Sequence, residues 1–475
     1  MRVIDLISKA KEYLVAGIVI VAILAIIIAV GYFIVYKKIL NGKKQINKNS
    51  VIWLIIFGVY LAVVLMATML DRISTMGFRK NIIPLFYSYK SAWNNFSAIE
   101  WRNIILNICM FIPFGLLLPF GIKKAKYWWV TYVCGLIFTV LIESVQLITG
   151  RGVFECDDVF NNLLGAMIGY GFYVLIAYIY ACNKGNKSGI KKVIFSFVPL
   201  FGTIIMFGTI FGIYNSQEFG NLNLNYITKA NVKNVSTNEK LSNEKATYPV
   251  YMVEGTNKEK SKQFAKEFLE NVGDKLDDSL TDLYDETAIY HGEIGNVSVE
   301  YIDGTYTYTD FSIYFDDEEE DGTTKTDSQV TEDKLREMLK DYGVYIPAGC
   351  TFENKGDGIY SLSADKIIED EIMYNGTIEA TCYQGDKIGD INYNIVKCKK
   401  LKDVKCISLR DAYDMIKEGK FNYYSNEELD VKVKNVGVDY FTDTKGYYQP
   451  VYVFNVDMNG EETQIDIPAL NAHVR

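Results

Sequence analysis

Seven polar side chains stand where an apolar segment tolerates them least: Asn103, Asn107, Glu143, Gln146, Asp157, Asp158 and Asn162 lie within or beside long apolar runs. A carboxylate at the middle of a membrane helix costs about 2.5–3.5 kcal/mol on insertion scales, so such an acid is a functional candidate that needs a partner. The chemistry these types can do is recognition. Acids and amides suit sugar hydroxyls, amines or a divalent ion, and Arg79, Lys80 and Arg151 nearby suit phosphate or carboxylate. Interhelical hydrogen bonding would account for the amides, at only ~0.6 kcal/mol each in measured membrane cycles. Glu143 is harder to explain that way, because an ionised acid there needs Arg151, Arg79 or a raised pKa. One of Asp157 and Asp158 can cap the helix they begin; two adjacent acids exceed that need.

The elements that must position these groups are membrane helices. Six apolar runs approach the ~20 residues that a span requires: 14–36, 51–70, 103–121, 127–148, 159–181 and 193–214. The first is followed by Lys37, Lys38, Lys43 and Lys44 rather than a small-residue cleavage site, and reads as a retained helix. Lysine-rich loops at 37–50, 122–126 and 182–192 belong inside, which sends loops 71–102 and 149–158, and everything after Tyr214, outside. Alternating helix directions then bring the pairs Asn103/Asn107, Glu143/Gln146 and Asp158/Asn162 to one depth, in the outer leaflet. Gly165 and Gly169, four apart, predict a close helix contact, and Pro113 with Gly115 a loosened third span.

Charge splits the chain. Up to Tyr214 there are 21 Lys+Arg against 8 Asp+Glu; beyond it, 28 against 50. An acidic tail argues against nucleic acid. With only His291 and His473, His-based triads and His-rich zinc sites are nearly excluded. Residues 215–254 read as a linker. Residues 255–475 read as an extracytoplasmic α+β domain of antiparallel sheets and helices, with two or three units of similar build. Helices are expected at Phe264–Val272, after a Thr331 cap with a stop at Gly343, and after the Ser408/Asp411 capping box with a stop at Gly419. Antiparallel hairpins are expected at Asp303-Gly304 and Asn459-Gly460. Cys350, Cys382, Cys398 and Cys406 could form two disulfides in three pairings, or remain free thiols. The acidic run Asp316–Asp321 lacks calcium-loop spacing and reads as a solvated hairpin tip.

Four ordered motifs carry a resemblance. Arg79-Lys-Asn81-Ile-Ile-Pro84, Asn103-Ile-Ile-Leu-Asn107 running on to Pro119, Glu143-Ser-Val-Gln146 and Arg151 through Asp157-Asp158 and Asn162 to Gly165 closely resemble the VanZ-like membrane family over roughly residues 52–179. Glu155 stands where that family usually has Asp. The resemblance implies a cell-envelope protein linked to resistance against glycopeptides, notably teicoplanin, in Gram-positive bacteria. The final unit, Ser408–Leu470, is similar to the extracytoplasmic domains of the YycH and YycI regulators.

The resulting expectation is an α-helical polytopic bundle of about six spans followed by the extracytoplasmic α+β domain. Residues 1–50 form the first span and its loop, 51–182 the VanZ-like domain, and 183–214 the sixth span. The expected activity is non-enzymatic binding of a lipid headgroup or lipid-linked cell-wall precursor by Arg79, Asn103, Asn107, Glu143, Gln146, Arg151, Asp157, Asp158 and Asn162, with no resident cofactor, although the acids would accept a divalent cation. Two alternatives stand beside it. One is an intramembrane enzyme acting on a lipid-linked substrate, against which speaks the absence of a nucleophile–base signature. The other is an envelope sensor whose acidic tail meets a protein partner.

Overall fold

The computed structural model describes residues 15–19, 21–22, 47–70, 82–150, 152–185, 189–315, 330–383, 387–423 and 427–470. The chain divides into two compact units, Met1–Gln217 and Glu218–Arg475.

Among the described residues of the first unit, five segments are helical, long and apolar enough to cross a bilayer: Lys48–Thr68, Ala98–Gly121, Trp128–Thr149, Cys156–Asn183 and Ile190–Ser216. The first expected span, 14–36, falls mostly outside the described residues, which include only 15–19 and 21–22 of it. The helices are α1 (Lys48–Leu65), α2 (Tyr87–Asn95), α3 (Ala98–Gly121), α4 (Trp128–Thr149), α5 (Cys156–Asn183), α6 (Ile190–Ser196) and α7 (Val198–Ser216). The expected third span starts at Asn103, but α3 begins five residues earlier, because Ser97 accepts from the Glu100 backbone N–H and Glu100 complements the first turn. The expected loop 71–102 contains α2, whose Tyr89 and Ala92 bury against Trp101 and Ile104. Two short parallel strands, β1 (Ile82–Ile83) and β2 (Phe154–Glu155), tie the segment before α2 to the segment before α5.

Helices α3 and α5 touch backbone to backbone. A Cβ on Gly165 would stand 2.0 Å from the Ile108 carbonyl oxygen, and one on Gly169 1.9 Å from that of Ile112. Gly115 is the reciprocal case, with the Ala166 oxygen at 1.9 Å, so this glycine serves close packing rather than a groove. Helix α1 is latched onto α3 by the Tyr60 hydroxyl, which donates to the Met110 carbonyl at 3.1 Å, and by the Trp53 indole, which donates to that of Leu117 at 2.7 Å.

The second unit is built on one 14-stranded sheet. Its strands are β3 (Asn231–Thr237), β4 (Thr247–Val253), β5 (Asp282–Leu283), β6 (Thr287–His291), β7 (Gly295–Glu300), β8 (Tyr306–Asp310), β9 (Thr351–Gly356), β10 (Ile359–Glu369), β11 (Ile372–Tyr383), β12 (Lys387–Tyr393), β13 (Val396–Lys405), β14 (Glu428–Thr442), β15 (Tyr447–Met458) and β16 (Glu461–Pro468). The path runs β3-β14-β15-β4-β13-β11-β12-β8-β7-β6-β5, with β10 and β9 branching from β11 and β16 from β15. Two expectations are corrected here. The stretch read as a linker supplies β3 and β4. The sheet is mixed rather than purely antiparallel, since β3 pairs parallel to β14.

Helices α8 (Lys258–Asn271) and α9 (Glu332–Asp341) bury Phe268, Leu269, Leu335 and Leu339 in one core, and α10 (Leu409–Lys417) buries Ala412, Tyr413 and Ile416 in a second. Thr331 caps α9, and the full capping box opens α10. Asn459 and Gly460, both at positive φ, make a two-residue turn between Met458 and Glu461. The Asp303-Gly304 turn is longer, because β7 and β8 stop pairing at Val299 and Tyr306. All four tail cysteines are free and buried; burial holds Cys398 up at about 12 and Cys406 at about 11. The run Asp316–Asp321 lies outside the described residues.

Asp466 on β16 is a local liability. Burial first, and the charge of Asp439 second, push its carboxyl above the ordinary range, with Lys366 opposing. An acid whose pKa is higher folded than unfolded weakens the fold as pH rises through the unfolded value, and the loss is complete above the folded one. Asp466→Asn is therefore expected to raise the melting temperature at neutral pH and to leave it unchanged in acid, which thermal unfolding at the two pH values checks.

Candidate functional site

The polar residues gather at one end of the helix bundle. Helix α3 starts there with Asn103 and Asn107, α4 finishes there with Glu143 and Gln146, and α5 starts there with Asp157, Asp158 and Asn162. They divide by what they touch.

Asn103, Asn107 and Asp158 line a cavity of 530 Å³, together with Ser88 and Ser91 of α2 and with Glu100. The Asn107 carboxamide donates to Asp158 Oδ1 at 2.5 Å, joining α3 to α5 across the cavity wall. Hydrogen bonds to a charged group contribute about 1.5–3 kcal/mol, more than neutral ones. Glu155 also lines the cavity, and the Ser88 hydroxyl lies 3.5 Å from its Oε2.

Glu143, Gln146 and Asn162 form a sealed seam instead. Each is at most 2% exposed. Glu143 Oε2 accepts from the Glu155 backbone N–H at 3.1 Å, so this acid fixes the strand that carries Glu155 into the cavity. Gln146 donates to the Thr68 carbonyl at 2.8 Å, at the π-helical turn Met66–Leu70. Asn162 donates to the Thr139 hydroxyl at 2.9 Å. These three residues lock α4 to its neighbours, and among the described residues none of them lines the cavity.

Asp157 has a third role. It is fully buried, and its two oxygens accept from the backbone N–H groups of Phe86 (2.5 Å) and Ser88 (2.7 Å). It thus caps α2 rather than the helix it belongs to, while sitting in the first turn of α5. One carboxylate thereby ties the start of α2 to the start of α5. Asn161 adds a second tie, accepting from the Tyr89 hydroxyl at 2.5 Å. Arg79, Lys80 and Arg151 lie outside the described residues.

Sequence reasoning missed Ser88, Ser91 and Glu100 because the segment carrying them reads as a loop. The signal was there in part: Ser88 and Ser91 are three apart, the spacing of one helical face. Among the described residues no group of three or more His, Cys, Asp or Glu is placed to hold a metal ion.

Apolar helices of spanning length, joined by buried polar contacts and opening at one end into a polar cavity, define a polytopic helical membrane protein. Its residues 21–177 match the VanZ/LLP1 family model. A relative, Protein VanZ of Enterococcus faecium, is 31% identical over 98 residues, which is 20% of this chain and 60% of that protein, so the match spans less than two thirds of it. Two solved structures are also similar. An uncharacterized protein from Eubacterium rectale has 10% identity and a TM-score of 0.25 over 51% of this chain and 89% of its own. The YpeB C-terminal domain of Bacillus megaterium has 13% identity and a TM-score of 0.21 over 46% and 94%. TM-scores this low identify no common fold.

Proposed function

We propose that the protein is a VanZ-like envelope protein whose polar cavity faces the outside and binds a lipid headgroup or a lipid-linked cell-wall precursor, and that this binding underlies resistance to glycopeptides of the teicoplanin type. The observation that carries the reading is the Asn107–Asp158 contact at the wall of a 530 Å³ cavity. That volume falls within the roughly 300–1,000 Å³ of small-molecule sites. Polar groups held this way near a bilayer cost stability and need a purpose beyond packing. Lys123, Lys124 and Lys126, between α3 and α4, and Lys184, Lys191 and Lys192, between α5 and α7, lie at the opposite end of the bundle, and basic loops stay cytoplasmic. The outward orientation rests on that asymmetry, and the tail after α7 would then be extracytoplasmic.

The test is teicoplanin susceptibility after deletion and complementation. Deletion is expected to lower the inhibitory concentration and the full chain to restore it; an unchanged concentration in the deletion strain would overturn the reading. A chain ending after Tyr214 tells whether the tail takes part.

A further inference from the structure

A second cavity, also 530 Å³, opens in the tail unit. Its floor is aromatic. Phe264 of α8 lies 4.6 Å, ring centre to ring centre, from Tyr306 of β8, and Tyr306 stacks on Tyr393 of β12 at 4.7 Å with 10° between planes. A second pair, Tyr345 and Tyr374, forms a wall with centroids 5.4 Å apart. Tyr345 is 52% exposed yet tethered, its hydroxyl donating to Glu369 at 2.9 Å. Five rings from separate elements thus line one cavity, with Tyr345 exposed, Phe264 and Tyr393 half-buried, and Tyr306 and Tyr374 buried behind them. Large rings with few rotatable bonds give contact area at low entropic cost, and a tyrosine offers an apolar face with a polar tip.

The rim decides the ligand. It carries Glu254 and Asp303 against Lys260 and Lys397, two charges of each sign. Glu254 is already engaged by Lys397 at 3.3 Å and Lys399 at 2.5 Å. A balanced rim gives no electrostatic pull toward a net anion, and lysines beside the rings disfavour the cationic ligands that aromatic cages hold. What remains complementary is an uncharged molecule with flat C–H faces for the rings and hydroxyls around its edge for carboxylate, ammonium and the Thr256 hydroxyl.

We propose that this tyrosine-lined cleft is a binding site for a neutral oligosaccharide, separate from the cavity in the helix bundle. The cleft grips sugar rings by their apolar faces and reads their hydroxyls at the rim.

The experiment is calorimetric titration of the full-length protein in lipid nanodiscs with two probes, an N-acetylglucosamine tetramer and a glucose tetramer, beside a proline-rich peptide of similar size. Saturable binding of at least one tetramer is expected. Tyr345→Ala should weaken it about tenfold or more, the scale of a lost aromatic anchor, and Lys260→Ala should weaken it less. Tyr345 is exposed, so its loss should not unfold the tail; an unchanged thermal melt checks this. No saturable binding of either tetramer at millimolar concentration, tetramer binding that Tyr345→Ala leaves intact, or binding of the peptide alone would overturn the proposal.

Discussion

Asp158→Asn is expected to abolish protection against teicoplanin while the protein accumulates in the membrane at its normal level. The substitution preserves shape and removes charge. Asp158 meets the cavity and accepts from Asn107 at 2.5 Å; an amide oxygen can still accept that bond, but the change lowers it from the about 1.5–3 kcal/mol of a bond to a charged group to the about 0.5–1.5 kcal/mol of a neutral one and removes the carboxylate that a ligand hydroxyl or amine would use. Glu143→Gln should act differently, because Glu143 is not among the described residues that line the cavity: it holds the backbone N–H of Glu155, and an amide oxygen can still accept that bond. A partial loss is therefore expected from Glu143→Gln and a full one from Asp158→Asn, read as inhibitory concentrations in a complemented deletion strain. Full protection with Asp158→Asn at normal membrane levels would remove this residue from recognition.

Gly165→Val is expected to have the largest effect on stability. The added Cβ would stand 2.0 Å from the Ile108 oxygen, a backbone atom that cannot swing aside, so α3 and α5 must part. Destabilisation above about 4 kcal/mol, the range of severe core disruption, is expected. Asn107 precedes Ile108 and Asp158 lies two turns before Gly165, so the same separation should open the cavity wall and remove function with stability. Gly208→Val on α7, where nothing lies within 4 Å of the added atom, is the control and should be nearly silent. Thermal aggregation of the detergent-solubilised variants distinguishes the two.

Much of the architecture was legible wherever local chemistry and global fold agree. The capping box at Ser408 and Asp411 and the stops at Gly343 and Gly419 marked helices because caps satisfy backbone groups using neighbours in sequence. Spacing likewise forecast the close contact at Gly165 and Gly169. What depends on distant partners was not legible. Strands β3 and β4 have weak apolar periodicity of their own, and they become strands by pairing with β14, β13 and β15, which come about 150 to 200 residues later.

The candidate site shows the same division. Helix direction predicted that the three pairs would share a depth, yet could not separate those lining the cavity from those sealed behind it, because a rotation of α4 that sequence does not fix decides which side Glu143 faces. One of Asp157 and Asp158 is expected from sequence to cap the helix they begin, whereas Asp157 caps a helix start about 70 residues earlier, a partner that only the fold brings near. Helix α2 was invisible because its apolar face covers only a few residues and packs on α3, α5 and α7.

The most direct test of the account is disulfide cross-linking in native membranes between N107C and D158C, in a chain whose own cysteines are replaced by serine. Rapid, near-complete cross-linking under mild oxidant is predicted, with none between N107C and a cysteine at Lys124, at the other end of the bundle. No cross-link at 107 and 158 in a protein that inserts normally would contradict the claim that α3 and α5 build a shared polar site.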